Sequence, residues 1–214
     1  MKIILIKIKQ NLSNLFKKIF YFKKNYNEAN AIYPDTNSKG LKIHLGAGEI
    51  NIQGWINVDA RNFKHTHLVD QNFELNEFRD ETISEIYLCH VLEHFSFEDS
   101  IKLLEKLYKK LVQGGLVRIS VPDFSKLRLI YEETNNLEKV KFAIMGGQNY
   151  ENDFHKSIYD FKTLSELLKK LNFNHIENWE SKKDFGVELD DWSSGTYNIN
   201  NKKIKISLNI KALK

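Results

Sequence analysis

The sequence predicts an α/β protein whose mostly parallel sheet is covered by helices on both faces. Short apolar runs of five to seven residues alternate with longer segments in which apolar residues recur at helical spacing. The first apolar run ends in a glycine-rich turn, and 42% of the 214 residues are hydrophobic. That content is enough for one domain with a substantial core. Strands that alternate with helices pair in parallel, because each helix returns the chain to the same end of the sheet.

Four apolar runs are the predicted strands of the first two thirds of the chain, and they cover residues 41–45, 55–59, 85–91 and 116–121. Two more strands are predicted near the C-terminus, over residues 173–180 and 204–210. The last of them alternates apolar and polar residues, which is typical of a half-buried strand. A long polar turn, residues 181–203, separates these two strands.

Two amphipathic helices are predicted between these strands. Ser96 and Asp99 have the spacing of a capping box, and Gly114 and Gly115 are the expected stop. The apolar face of this first helix holds Ile101, Leu104, Leu107, Tyr108, Leu111 and Val112. The second helix is predicted to start at a capping pair of Thr163 with Glu166, and four leucines form its apolar stripe, Leu164, Leu167, Leu168 and Leu171.

The N-terminal segment, residues 1–30, differs from the rest of the chain in charge. It carries seven lysines and one glutamate, whereas the remainder carries 25 basic and 27 acidic residues. Apolar residues from Leu12 to Phe20 lie on one helical stripe, which predicts a basic amphipathic helix that binds an anionic membrane surface or docks on the body or a second subunit. We favour docking. Residues 31–40 are the predicted linker, and residues 41–214 the predicted domain.

Several function classes are excluded by composition. A single cysteine, Cys89, excludes a disulfide framework and predicts a buried, inert thiol. No apolar run reaches the ~20 residues that span a membrane, and no signal peptide is recognisable. We therefore expect a cytoplasmic protein, with membrane contact, if any, at the inner face. The near-neutral charge of residues 31–214 argues against a nucleic-acid partner.

The first candidate binding feature is the turn Gly46-Ala47-Gly48, which follows the first strand. Glycines here let the backbone adopt special dihedral angles and approach a ligand closely. The next strand ends in Asp59, a suitable acceptor for ribose hydroxyls. This is not a dinucleotide fingerprint, because Asn51 stands where a third glycine belongs and the acid comes too early.

Four segments together carry a resemblance to a known family, and they are LKIHLGAGEINIQGWINVDA, LVDQNFELNEF, EIYLCHVLEHF and LVQGGLVRISVPDF. They resemble class I S-adenosylmethionine-dependent methyltransferases. The nearest group is the methyltransferases of bacterial surface-polysaccharide loci, whose pattern continues in Gly146-Gly147-Gln148, Asp153-Phe154-His155 and Tyr159-Asp160-Phe161. The resemblance covers about residues 41–175. It implies a Rossmann-like fold with seven strands in the order 3-2-1-4-5-7-6, strand 7 being antiparallel.

The resemblance also implies S-adenosyl-L-methionine as the cofactor and assigns residues to it. The turn Gly46, Ala47 and Gly48 would face the aminopropyl side of the cofactor, and Asp59 would bind its ribose. Asp70 would contact the adenine amino group. His90 and Val91 would line the sulfonium side. The acceptor is expected near the strand 5 exit and the later polar loop. The residues assigned to it are Asp123, Gln148, Asp153, His155 and Lys156.

Two of these assignments have alternatives that the sequence leaves open. Asp123 either contacts the acceptor or caps the next helix. His155 either belongs to an ordinary polar loop or is the general base, a role that suits it since an ordinary histidine pKa leaves much of it neutral in the cell. His90, Glu93 and His94 follow the order of an inverted zinc-protease motif, but that motif needs a helix and a third ligand. We therefore expect no metal, and expect Glu93 and His94 to make local hydrogen bonds.

The predicted function is O-methylation of a sugar or sugar phosphate in surface-polysaccharide (capsule) biosynthesis. The alternatives are a methyltransferase acting on protein or RNA, a catalytically inactive membrane-associated scaffold, and a nicotinamide-dependent reductase.

Overall fold

The computed structural model describes residues 35–214. The predicted N-terminal helix, its membrane or docking role and the first part of the linker lie outside these residues. Within residues 35–214, no helix has both the length and the apolar character needed to cross a membrane.

A seven-stranded sheet organises residues 35–214. Its strands are β1 Leu41–Leu45, β2 Ile56–Asp59, β3 Leu68–Val69, β4 Ile83–Cys89, β5 Leu111–Pro122, β6 Asn174–Asn178 and β9 Ser207–Leu213. A separate hairpin contains β7 Thr196–Ile199 and β8 Lys202–Lys205. The sheet order is β3-β2-β1-β4-β5-β9-β6, and β9 runs antiparallel to both of its neighbours. With the hairpin set aside, this order confirms the predicted 3-2-1-4-5-7-6.

Five α-helices in residues 35–214 complete the fold, α1 Phe97–Lys110, α2 Phe124–Thr134, α3 Lys141–Met145, α4 Phe161–Lys170 and α5 Ser181–Phe185. Three short 3-10 turns cover Leu92–His94, Leu137–Lys139 and Trp192–Ser194. The predicted cap of α1 is confirmed, because the Ser96 side chain accepts a hydrogen bond from the Asp99 backbone N–H. The helix ends earlier than predicted, since Leu111 already pairs with Ile83 as the first residue of β5.

The start of α4 differs from the prediction by one turn. Asp160, not Thr163, is the N-cap residue, and its carboxylate accepts the backbone N–H of Thr163. The Thr163 hydroxyl in turn accepts the Asp160 backbone N–H, at 3.2 Å. The box is therefore Asp160 with Thr163. The Asp160 carboxylate and the Thr163 hydroxyl are the two side-chain acceptors of this box, so Glu166 takes no part in it.

Strand β9 is more buried than its alternating pattern predicts. Leu208, Ile210 and Ala212 pack into the main core, as the pattern indicates. Its opposite face is also covered, because Asn209 accepts a hydrogen bond from Ser120 at 2.8 Å and donates one to the Ser193 carbonyl at 2.9 Å. The expectation of a half-exposed strand at 204–210 is therefore wrong, since polar side chains here form a buried network rather than a solvent face.

An aromatic cluster covers the second face of the sheet around Tyr87. The Tyr87 ring makes edge contacts with Trp55, Trp179 and Phe185 at centroid distances of 5.2 to 6.4 Å. Its hydroxyl donates a hydrogen bond to Asp191 at 2.6 Å. Tyr87 thus ties the long connection after β6 to the middle of the sheet.

We expect Tyr87→Ala to lower the free energy of unfolding by about 3–5 kcal/mol, because it removes a fully buried ring from a packed cluster. Tyr87→Phe keeps the ring and removes only the hydrogen bond to Asp191, so it should cost about 1–2 kcal/mol. Urea unfolding of both variants measures the difference. Equal losses would show that the hydrogen bond, and not ring packing, holds this connection.

Candidate functional site

The turn after β1 can only be built with glycine at its first position. Gly46 has a φ of 68°, and its N–H donates to the Val58 carbonyl at 2.8 Å. A Cβ atom added at Gly46 would collide with the side chain of Val91. Gly48 also has a positive φ, of 55°, but open space around it. The backbone at Gly46, directly after β1, therefore lies against the side chain of Val91, which follows β4.

Asp59 holds the same turn from the neighbouring strand. One of its oxygens accepts the Gly48 N–H at 2.7 Å, and the other accepts the Arg61 N–H at 2.8 Å. The residue is 5% exposed. The Arg61 Nε also lies 3.7 Å from this second oxygen, as an ion pair. Because a carboxylate oxygen has two acceptor positions, the first oxygen keeps one for a further donor. Asp59 thus both fixes the turn and has capacity left for a ligand.

A cleft of about 640 Å³ opens beside this turn, at the carboxyl ends of β1, β2 and β4. Five of the predicted site residues line it, and they are Gly46, Asp59, His90, Val91 and Lys156. The same cleft is lined by Arg61 and Tyr150, which sequence reasoning missed. The Arg61 guanidinium lies 5.1 Å from the centre of the Tyr150 ring. Nothing in the local sequence signals this contact, because 89 positions separate the two residues.

The predicted adenine contact, Asp70, uses its carboxylate within its own loop. It accepts the backbone N–H groups of Asn72, Glu74 and Leu75, at 3.3, 3.0 and 2.7 Å. Asn72 and Glu74 line the cleft. Asp70 therefore shapes one wall of the cleft through the backbone of this loop, and its contact with adenine stays a prediction.

Asp123 is the N-cap of α2, where it accepts the Ser125 N–H at 2.9 Å. Of the two roles that the sequence left open, the structure shows the capping role. Burial raises the pKa of the Asp123 carboxyl, and backbone hydrogen bonds act in the opposite direction. A role in acceptor binding stays a prediction.

The downstream polar segments pack against each other as a single turn. Gln148 donates its backbone N–H to the Asp153 carbonyl at 3.1 Å, and the Asp153 carboxylate accepts from the backbone and side chain of Asn149. Cβ atoms added at Gly146 and Gly147 would collide with Asp153. The two glycines are thus needed for the loop that places His155, while acceptor contacts of Gln148 and Asp153 stay predictions.

A cluster of ionisable side chains lies behind the cleft, at the 3-10 turn that follows β4. The Glu93 carboxylate is 3.2 Å from His90 Nδ1 and 4.0 Å from His155 Nε2. The His94 and His155 rings are perpendicular, with centroids 4.8 Å apart. His90 and His94 line the cleft, whereas Glu93 is 1% exposed.

Burial disfavours the charged form of every member of this cluster. Desolvation raises the pKa of Glu93 to about 8 and lowers the pKa of His90 to about 3 and of His94 to about 4. It also lowers the pKa of His155. Within residues 35–214, the Glu93 oxygens and His94 Nδ1 have no hydrogen-bond partner. The hydrogen bonds expected for the Glu93 carboxylate are therefore not made there, since its backbone carbonyl, not its carboxylate, accepts the N–H groups of Lys156 and Ser157. The His94 ring does hydrogen-bond to backbone groups of Asn152 and Phe154.

His155 is oriented by a main-chain contact. Its Nδ1 lies 3.0 Å from the Ala143 carbonyl, so Nδ1 carries the proton and Nε2 the lone pair. That lone pair is on the side of Glu93. The general-base role predicted for His155 stays a prediction. Cys89 is half-buried rather than fully buried, and desolvation raises its pKa well above the ordinary value, as expected for an inert thiol.

Comparison with known proteins supports the fold. No protein-family model and no curated protein matches the chain. Among solved structures, a SAM-dependent methyltransferase from Archaeoglobus fulgidus is 17% identical, with a TM-score of 0.52 over 96% of this chain and 94% of that one. A Thermotoga maritima protein, described as a SAM-dependent methyltransferase and possible histamine N-methyltransferase, is 14% identical, with a TM-score of 0.52 over 97% and 99%.

A third solved structure, described as a possible exported protein from Bordetella parapertussis, has a TM-score of 0.53 at 7% identity, over 84% of this chain and 63% of that one. At these identities the likeness establishes the Rossmann-like methyltransferase fold and its strand order.

We expect Gly46→Ala to lower the free energy of unfolding by about 2–4 kcal/mol, since it adds a collision with Val91 to the strain of a positive φ. The matched control is Gly40→Ala, where φ is also positive, at 78°, but no atom lies within 4 Å of the added Cβ. It should cost about 1–2 kcal/mol. Chemical denaturation measures both.

The double variant Gly46→Ala/Val91→Ala completes the test. Removing the Val91 side chain should recover part of the loss, so the two effects should be non-additive. Strict additivity would contradict the close contact between these two residues.

Proposed function

We propose that this protein is an S-adenosylmethionine-dependent methyltransferase. The observation that supports it most is the position of the cleft. In the sheet order, β2 and β3 lie on one side of β1 while β4 and β5 lie on the other, and the cleft opens where the order reverses. Open α/β sheets bind their ligands at such a switch point.

The residues present fit the cofactor. A volume of about 640 Å³ lies within the range of small-molecule sites, roughly 300–1,000 Å³. Gly46 and Asp59 both line the cleft, and each Asp59 oxygen accepts one backbone N–H. The turn at Gly46, Ala47 and Gly48 would hold the aminopropyl side and Asp59 the ribose. Asp70 would act at the adenine end through the loop that it stabilises.

When bound, the cofactor would supply an electron-poor methyl group on a sulfonium centre. The chain then has to align the acceptor, and alignment alone can contribute about 7–11 kcal/mol. His90 and Val91 follow β4 at the cleft, where we place the methyl group. The predicted acceptor residues in the loop over 146–156 would bind the acceptor on the other side of the methyl group.

Charge at the cleft favours an anionic acceptor. Lys156 lines it, is exposed, and forms no salt bridge with another residue of 35–214, while Lys102 and Lys106 are paired with acids. An ammonium group of this kind suits a phosphate. This supports a sugar phosphate or nucleotide-activated sugar as the acceptor, and the resemblance to surface-polysaccharide methyltransferases points to the same class.

Asp59→Ala should weaken binding of S-adenosylhomocysteine at least about tenfold, because it removes a charged acceptor from the ribose end. Isothermal titration calorimetry on the full chain measures this. Asp190→Ala is the matched control, since Asp190 is exposed and distant in sequence from the site. Binding of NAD in place of S-adenosylhomocysteine would overturn the proposal and favour the reductase.

Labelled methyl transfer should be detected with nucleotide-activated sugars or sugar phosphates. Lys156→Gln should raise the KM for a phosphate-bearing acceptor about tenfold while leaving S-adenosylhomocysteine affinity unchanged, because the lost contact is to the acceptor alone. Lys162→Gln, an exposed lysine on α4, is the control. Transfer to RNA or protein, with none to sugars, would replace the acceptor class.

A further inference from the structure

We propose that Glu93, His94 and His155 form a binding site for a divalent transition-metal ion at the edge of the cleft. One ligand atom from each residue lies within 4.8 Å of the other two. Ligands around a tetrahedral zinc ion at about 2.0–2.1 Å stand roughly 3.4 Å apart. Side-chain movement of about an ångström would therefore close the three groups on an ion.

The hydrogen positions explain why a cation is needed there. His155 donates Nδ1–H to the Ala143 carbonyl, so its Nε2 lone pair is on the Glu93 side. Ser207 donates its own hydroxyl hydrogen to the Trp192 carbonyl at 2.7 Å, so it accepts one from His90 Nε2 at 2.8 Å. His90 Nδ1 is then also a lone pair, and it lies 3.2 Å from the Glu93 carboxylate.

His94 adds a third lone pair to this arrangement. Backbone groups of Asn152 and Phe154 hydrogen-bond to its ring, while Nδ1 is buried without a partner among the described residues. The rings of His90, His94 and His155 thus each place a nitrogen lone pair near the Glu93 carboxyl group, whose oxygens are also hydrogen-bond acceptors. A proton on Glu93 can satisfy one of these lone pairs, whereas a divalent ion satisfies several.

The surrounding contacts are those of oriented metal ligands. Histidines that bind a metal usually donate the other ring N–H to a carbonyl or carboxylate, which fixes the ring. His155 does so to the Ala143 carbonyl. His90 touches Glu93 from the side opposite its own bond to Ser207, so we assign it as a positioning residue for the carboxylate.

The donor set selects the class of ion. Two imidazoles and one carboxylate suit Zn²⁺, Fe²⁺, Co²⁺ or Mn²⁺, whereas Mg²⁺ and Ca²⁺ prefer oxygen ligands alone. Three protein ligands leave coordination positions open, as in catalytic metal sites. Of the three, His94 lines the cleft, so the open positions would face it.

The role of the ion in catalysis rests on the proposed function, although its binding does not. An ion at His94 would hold a hydroxyl oxygen of the acceptor and lower its pKa. The hydroxyl proton would leave to solvent, the oxygen would form a bond to the methyl carbon, and the sulfur would keep the electron pair of the broken S–C bond. The products are a methyl ether, a neutral thioether and one proton.

The test is a titration with Co²⁺, whose visible d–d absorption reports coordination, on the full chain after chelator treatment and without S-adenosylhomocysteine. We expect one equivalent to bind, and Zn²⁺ to displace it. Glu93→Gln should weaken Co²⁺ binding more than about 100-fold. Loss of a residue that only contacts a metal ligand costs at most about that factor, so loss of a ligand itself should cost more. His94→Ala and His155→Gln should act likewise, and His175→Asn, an exposed histidine, should have no effect.

Glu93→Gln guards against a folding artefact, because glutamine has the shape of the protonated acid and should leave the melting temperature nearly unchanged. The proposal is overturned if the wild-type chain binds neither Co²⁺ nor Zn²⁺, or if the cluster variants bind as the wild type does. Metal binding without S-adenosylhomocysteine binding would overturn the proposed function alone. The reverse result would overturn the metal site alone.

Discussion

The contact between Gly46 and Val91 is the constraint on which the rest of the site depends. It lets the backbone after β1 lie directly against the side chain that follows β4, while the Gly46 N–H reaches back to β2. Three parallel strands therefore end at one place. Any side chain larger than hydrogen at Gly46 would separate them, and the cleft would lose one wall.

The same contact determines where the ionisable cluster lies. Val91 packs against Gly46, and the chain turns directly after it in the 3-10 segment Leu92–His94. This short turn buries Glu93 and leaves His94 at the cleft. The loop closed by Gly146 and Asp153 then brings His155 to the same spot. A strand exit and a distant loop thus supply one group of ligands.

Carboxylates that accept backbone N–H groups characterise this end of the molecule, beside ion pairs such as that of Lys106 with Glu74. Asp59 and Asp70 accept backbone N–H groups and so rigidify the turns around the cleft. The Glu93 carboxylate has no hydrogen-bond partner among the described residues, and desolvation raises its pKa to about 8. Asp59 and Asp70, whose carboxylates are hydrogen-bonded, thus shape the cleft, whereas Glu93, whose carboxylate has no such partner, is the proposed cation ligand.

The order of the sheet was implied by the family resemblance, whereas apolar spacing and the glycine pattern by themselves predicted six of the strands and the glycine turn with its acid. These features depend on neighbouring residues, where apolar spacing and glycine chemistry act directly. The tertiary structure decided what long-range packing controls. It buried the polar face of β9, moved the cap of α4 to Asp160, and placed Tyr150 on Arg61. It also joined His155 to Glu93 and His94, because a third ligand 61 positions away has no local signature.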